Sequence, residues 1–351
     1  MTTPTTSADD LIDIHTHVVP ESFPAYLGRH ANAAWPSMAP AQACHQHVMV
    51  SGKVYRTVSH QCWDCRVRLA DMDRQQVTRQ VLSPMPELLS YWLAPEDGQS
   101  MCRYLNEVIA GMVARAPGRF VGLGAVPLQD IDLAIIELET VLRQQGLAGV
   151  EIASHVNGVA IGDERFRPFF QAAADIGAAV FVHALRPVGM ERLVGPAILE
   201  QVVAFPGEIG LAAMSMITGG TLAAIPNLRI AFSHGGGALQ AMLPRLRHAW
   251  MVMPPVRDSM ADDPLNVARR AYFDDLVYDA DTLRRLIAVF GASQLMAGSD
   301  YPFAIMDTDP AGSIAALGLD AATAQALRGG NARRWLGLDN LEAERPSHAP
   351  A

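Results

Sequence analysis

Lysine is all but missing from this chain: Lys53 is the only one in 351 residues. Val54 follows it, so there is no P-loop, which needs Ser or Thr after its lysine. No GxSxG elbow and no GxGxxG turn occur, which counts against serine-hydrolase and dinucleotide-cofactor chemistry. Cysteine is scarce: Cys44, Cys62, Cys65 and Cys102 are too few to scaffold a chain this long with disulfides. The single CxxC, Cys62 to Cys65, has no second CxxC or HxxxH to complete a structural zinc site and reads as ordinary reduced thiols. Basic charge is in deficit, with 27 Lys and Arg against 36 Asp and Glu and a net charge of −9, which argues against nucleic acid or an anionic membrane as partner. No basic segment followed by an apolar one opens the sequence, so the cytoplasm is the expected compartment. The most lipid-like stretch, Ile209 to Ile225, is shorter than a comfortable span and carries Ser215, Thr218, Gly219 and Gly220; it reads as a buried helix followed by a turn.

What is present is an alternation of short apolar runs with longer amphipathic segments, the pattern of repeated βα units. Strands are expected at Leu11–His15, Gln80–Ser83, Phe120–Val126, Gly149–Ala153, Ala178–His183, Arg229–Ser233, Leu276–Tyr278 and Gln294–Ala297, with helices between them such as Asp132–Gln145 and Phe166–Ile176. Eight strands with helical crossovers predict an α/β fold of the (β/α)8 TIM-barrel type over residues 1–340. Residues 20–75 do not fit a βα unit. His47–Val50, Ser51-Gly52 and Lys53–Val58 read as a hairpin, and an excursion from the first βα loop lands on the rim where barrel active sites lie. It is a candidate lid. Residues 341–351 are expected to be a disordered tail.

Several ionisable residues terminate these apolar runs. In Asp13-Ile14-His15-Thr16-His17, alternate strand residues face the same way, about 7 Å apart, so His15 and His17 project together into the barrel mouth. His183 ends Ala178–Val182, His234 ends Arg229–Ser233 and runs into Gly235–Gly237, and Asp300 ends Gln294–Ser299. Leaving unpaired charges buried at four strand ends would cost several kcal/mol, so chance placement explains them poorly. Imidazoles from His15, His17 and His183 with the Asp300 carboxylate form a borderline-soft set suited to one Zn²⁺, with Mn²⁺, Fe²⁺ or Co²⁺ as rivals. His234 is the candidate general base or acid, because histidine titrates in the working range. Gly235–Gly237 would let the backbone approach a substrate closely.

Ile-Asp-Ile-His-Thr-His, Phe-Val-His, Phe-Ser-His-Gly-Gly-Gly and Gly-Ser-Asp-Tyr-Pro-Phe together resemble the amidohydrolase superfamily. Within it, the chain is similar to the aminocarboxymuconate-semialdehyde decarboxylase-like group, from Leu11 to the closing Gly330-Asn-Ala-Arg-Arg-Trp-Leu. The resemblance implies that His15, His17, His183 and Asp300 bind zinc and that His234 is catalytic. It also implies that Arg56 grips a substrate carboxylate and that Arg245 does so across a homodimer interface. Guanidinium groups suit that task. The group's usual His-Pro-Trp is His183-Ala184-Leu185-Arg186 here, so Arg186 joins the candidate pocket residues, with Phe303 and Tyr301 as wall and His155 and Asn157 beside it. Binuclear relatives often use a carboxylated lysine on the fourth strand. This chain has no lysine there, which leaves Glu151 as the candidate bridge and favours a single metal.

The expected activity is metal-dependent nonoxidative decarboxylation of an aromatic, heteroaromatic or muconate-type acid. In one scheme His234 activates water for addition to the substrate and collapse expels CO₂. In another the substrate's oxygens bind the metal and Asp300 protonates the ring carbon. Both use the metal as Lewis acid. The nearest rival is a hydrolase or hydratase of the same superfamily, acting on a lactone, an amide or an unsaturated acid. A third reading, a silent barrel that only binds a ligand, conflicts with the intact acid/base set.

Overall fold

The computed structural model describes residues 10–30 and 33–338; the expected tail lies outside them. Eight parallel strands form one sheet, β1 (Ile12–Val18), β5 (Arg79–Pro84), β6 (Phe120–Gly124), β7 (Gly149–Ala153), β10 (Ala179–His183), β11 (Arg229–Phe232), β12 (Tyr272–Asp274) and β13 (Leu295–Met296), paired in that order. The last strand returns to the first. Ile14 N–H donates to Ala297 O at 2.9 Å, Asp300 N–H donates to His15 O at 2.8 Å, and Thr16 bridges in parallel to Tyr301. The chain is therefore a TIM-type barrel, as the alternating pattern predicts.

Sequence and register agree on why these runs become strands. Parallel strands are covered on both faces, and every residue of β1, β7 and β10 is buried. The barrel interior is packed by Ile12, Ile14, Val81, Leu123, Phe181 and Met296, and Trp335 seals one end. Its indole N–H donates to Arg229 O at 3.1 Å. A second apolar layer lies between the strands and the surrounding helices. The helices start where aspartates can cap exposed N–H groups: Asp130 accepts from Leu133 N at 3.0 Å ahead of Ile131–Arg143, and Asp279 from Thr282 N at 2.7 Å ahead of Ala280–Phe290.

Two expectations need correction. The seventh strand lies at Tyr272–Asp274, not Leu276–Tyr278. The apolar run Leu276-Val277-Tyr278 instead forms a loop at the mouth of the barrel, with Tyr278 at φ 59°. Apolarity alone cannot distinguish a strand from a loop that closes over a cavity. The insertion is also larger than a hairpin: β2 (Ser37–Pro40), β3 (His45–Val50) and β4 (Lys53–Ser59) form a three-stranded antiparallel sheet. Its turn at Ser51-Gly52 has positive φ at both positions, 51° and 74°, as a tight hairpin turn requires. Pro40 hides β2 from a sequence reading, yet an edge strand tolerates a residue without an N–H. A short ladder, β8 (His155–Val156) with β9 (Val159–Ala160), follows β7. The expected helix in Ile209 to Ile225 is present as Phe205–Thr218. Among the described residues one helical run, Glu200–Thr218, is long and apolar enough to cross a membrane, and half of it is buried.

Candidate metal centre and its cavity

The ends of β1, β10 and β13 bring His15, His17, His183 and Asp300 together, all buried, with one ligand-type atom from each within 4.8 Å of the others. Hydrogen bonds orient the rings. His15 Nδ1–H donates to Asp274 Oδ2 at 2.7 Å, and His183 Nδ1–H to Ala184 O at 2.9 Å. Each therefore presents the Nε2 lone pair inward, and both Nε2 atoms are buried without a hydrogen-bond partner. His17 Nε2–H donates to Asp300 Oδ1 at 2.9 Å, while its Nδ1 faces Pro84 O at 3.4 Å. Two orphaned imidazole nitrogens beside a carboxylate would be costly in a purely structural cluster. They fit a divalent cation, whose ligating histidines characteristically donate their other nitrogen to a carboxylate or carbonyl.

Electrostatics support the same assignment. Burial alone pushes the His183 cation well below its usual range, reinforced by charge on His17 and His15, so this ring is a neutral ligand. Burial and then charge on His15 pull His234 down to about 4. For Asp300, burial works upward, but the His17 hydrogen bond and the neighbouring rings outweigh it and leave the carboxyl at about 2. His15 is the exception: burial works against its cation, but the Asp274 hydrogen bond and the charges of Asp300 and Asp274 outweigh it and raise its pKa, so an incoming cation must displace that proton. A carboxylate and neutral imidazoles are the states in which these groups bind metal.

His234 stands beside the cluster, its ring centroid 5.1 Å from that of His183 and 5.3 Å from that of His15. Its φ of 55° and that of Asp300, 65°, are unusual for residues with a Cβ. Both turn the chain sharply where a strand ends and direct a side chain into the mouth. Gly235, Gly236 and Gly237 continue with φ of 62°, 75° and 55°. A Cβ on Gly237 would lie 2.0 Å from Pro206 O, so that position is closed to any other residue.

A cavity of about 230 Å³ opens over the cluster, lined by His183, His234, Asp300, Phe303, Arg56 and Glu87 among others. Phe303 stacks on His17 with centroids 5.0 Å apart, and the Arg56 guanidinium lies over Phe303 at 4.4 Å. The insertion thus delivers Arg56 to the site. Five other predicted residues, Arg186, Arg245, Tyr301, His155 and Asn157, are not on the cavity wall. Arg186 stacks on Trp92 at 3.6 Å. Arg245 is exposed on the helix Leu239–Val252. Asn157 donates to Tyr91 O at 2.7 Å, and Tyr301 donates to Asp71 at 2.6 Å. Glu151 is fully buried, and burial holds its pKa well above the carboxylate range against the pull of Ser83. It is outside the four-residue cluster.

Two residues escape the sequence reading. Glu87 follows β5 and gives no pattern signal. Asp274 is hidden only because the seventh strand is placed too late: Tyr272-Phe273-Asp274 repeats the theme of an apolar run ending in an ionisable group. Its carboxylate accepts from His15 Nδ1, from the backbone N–H of His234 at 2.9 Å, of Gly235 at 2.7 Å and of Leu276 at 3.2 Å. One side chain thereby holds a ligand ring and the backbone of the candidate base. Asp274→Asn is expected to lower metal affinity or turnover by about 10- to 100-fold, the usual cost of losing such an outer partner. Metal titration together with steady-state kinetics checks this, and an unchanged variant would remove Asp274 from the positioning scheme.

The amidohydrolase family model matches residues 12–338. The chain belongs to the amidohydrolase family. Relatives that match most of its length are decarboxylases. It is 35% identical over 333 residues to 2-amino-3-carboxymuconate-6-semialdehyde decarboxylase from Dictyostelium discoideum, covering 93% of this chain and 92% of the relative. Among solved structures it is similar to 5-carboxyvanillate decarboxylase from Sphingomonas paucimobilis, with 28% identity, a TM-score of 0.72 and coverage of 79% of this chain and 84% of that one. The fold is shared with a dihydroxybenzoic acid decarboxylase from Polaromonas sp. JS666 that holds manganese and 2-nitroresorcinol, at 23% identity, a TM-score of 0.68 and coverage of 79% and 86%.

Proposed function

We propose that this amidohydrolase-family chain removes CO₂ from an aromatic, heteroaromatic or muconate-type carboxylic acid bound in the cavity above His15, His17, His183 and Asp300. The observation that carries the reading is the pair of buried Nε2 atoms of His15 and His183, neither hydrogen-bonded, in a cluster whose His183 and Asp300 line the cavity. Three imidazoles and one carboxylate suit a single Zn²⁺; manganese, found in the Polaromonas relative, is the principal rival. When bound, the ion would supply Lewis acidity, drawing electron density from the substrate's oxygens.

The chain's own groups supply the rest. Loss of CO₂ breaks a C–C bond, leaves the electron pair on the ring or chain carbon, and requires a proton there. Asp300, at about 2, is a poor proton donor and is better suited to holding the cation. His234, at about 4, is a neutral imidazole at working pH. It can accept a proton from water adding to the carboxyl carbon, so that C–C cleavage carries the hydroxide away as bicarbonate, and return that proton to the ring or chain carbon. Phe303, stacked on His17 and covered by Arg56, forms part of the cavity wall, and Gly235–Gly237 permits close approach of the backbone.

The insertion over residues 20–75 serves as a lid that brings Arg56 to the cavity. Exposed Ile198, Val202, Val203 and Leu211 on one segment, and Met251, Val252 and Met253 at the end of the helix carrying Arg245, support a homodimer in which Arg245 reaches its neighbour's cavity. The proposed enzyme works in the cytoplasm on a small acid. Hydroxylated benzoates, picolinates and muconates, assayed for bicarbonate with and without chelator, test the activity. At least one acid should yield one bicarbonate per molecule consumed, and chelator should abolish it. Metal-dependent opening of lactones or amides with no CO₂ from any acid would contradict the reading.

A further inference from the structure

Glu87 is a carboxylate whose presence the metal site does not explain. Its side chain is 8% exposed and lines the same cavity as His183, His234 and Asp300. Oε1 accepts a hydrogen bond from the Tyr55 hydroxyl, but Oε2 is buried with no partner. A buried carboxylate oxygen without a donor is costly, and one on a cavity wall can be satisfied by what enters the cavity. The second observation concerns Arg56. Its guanidinium lies 4.0 Å from Glu87 Oε1, so the cation expected to grip a substrate carboxylate already has a counter-charge. Glu200, next to the lining residue Gln201, adds a further acid: burial and then the charge of Glu87 hold its carboxyl above the ordinary range. Arg186, like Arg56, draws Glu200 the other way. Two guanidiniums near this part of the site are thus matched by two carboxylates, and the wall gains a hydrogen-bond acceptor without a surplus of positive charge.

We propose that Glu87 is a specificity-determining residue that accepts a hydrogen bond from a hydroxyl or amino group of the substrate and, by occupying Arg56, excludes a second carboxylate. This rests on the decarboxylase reading of the cavity, and it turns the site away from diacids towards donor-bearing monoacids. Discrimination of this kind combines an attraction, the unpaired Oε2, with a repulsion between carboxylates in a poorly solvated pocket. It also explains how Arg56 can be present without recruiting an acid group.

Matched ligand pairs that differ only in hydroxyl versus carboxyl test it: 2-, 3- and 4-hydroxybenzoate against phthalate, isophthalate and terephthalate, titrated calorimetrically into the metal-loaded protein. At least one hydroxybenzoate should bind tenfold or more tightly than its diacid counterpart, and no diacid should bind more tightly than its partner. Glu87→Gln, which still accepts from Tyr55, should shrink that ratio at least tenfold by releasing Arg56. Glu87→Asp keeps the charge but shortens the reach, so it should weaken the hydroxybenzoate while still refusing the diacid. Diacids favoured by the natural chain, no binding of any probe, or ratios unchanged in folded, metal-loaded Glu87→Gln would each overturn the proposal. If Glu87→Gln fails to fold, a Glu87→Asp protein with the natural affinities does so. Intact binding ratios without CO₂ release from any acid would instead count against the reaction and leave the role of Glu87 standing.

Discussion

His234→Ala is expected to lower turnover by about 10²- to 10⁴-fold, the range for loss of a positioned acid or base, while metal content stays near one equivalent per chain. The reason is geometric. His234 lies next to the ligand rings but outside the four-residue cluster, so its removal should leave the ion's donors in place. Its backbone N–H is tied to Asp274, and alanine keeps that bond, so the strand end should not rearrange. Because burial and the charge on His15 already depress its pKa to about 4, the working form is the neutral base. Activity limited by this group should fall only as the medium becomes acidic enough to protonate it, and a cation nearby would move that limb lower still. Kinetics and metal analysis on the same sample check the prediction. A fully active variant would assign the proton transfers elsewhere.

Asp300→Asn is expected to show the complementary pattern, with loss of metal as well as activity. Asp300 supplies the only carboxylate of the four and takes the His17 hydrogen bond. In the metal-free chain the proton on His17 Nε2 bridges to that carboxylate, the place where a cation would substitute for it. An amide removes the charge that draws the ion in and offers a weaker donor oxygen. Metal affinity should therefore fall by more than the roughly 10- to 100-fold usual for outer partners, with turnover falling in parallel and only partly recovering at high metal concentration. Equilibrium dialysis against zinc and manganese measures it. Natural affinity with lost activity would make Asp300 a proton-transfer group and not a ligand.

Much of this site is legible in the sequence because a parallel barrel makes it so. Strands buried on both faces read as apolar runs, and an ionisable residue at the end of such a run stands out, which is how His183, His234 and Asp300 become visible without coordinates. His15 and His17 follow from the two-residue period of a strand. The seventh strand shows where the logic stops. Only Tyr272–Asp274 pairs with its neighbours, and the more apolar Leu276-Val277-Tyr278 attracts the assignment although it lines the cavity. That four-residue error conceals Asp274. Glu87 is illegible for a different reason: its importance comes from an unsatisfied oxygen and from Arg56 beside it, facts of packing that no periodicity encodes. Arg186 is the converse case, since a guanidinium beside a motif can as readily stack on Trp92 as face the substrate.

Anomalous scattering from crystals of the metal-loaded chain should show one strong peak within bonding distance of His15 Nε2, His17 Nε2, His183 Nε2 and an Asp300 carboxylate oxygen, with His234 near it but not bonded. A peak at another place in the molecule, or a fully active chain with no ion among these four side chains, would contradict this assignment.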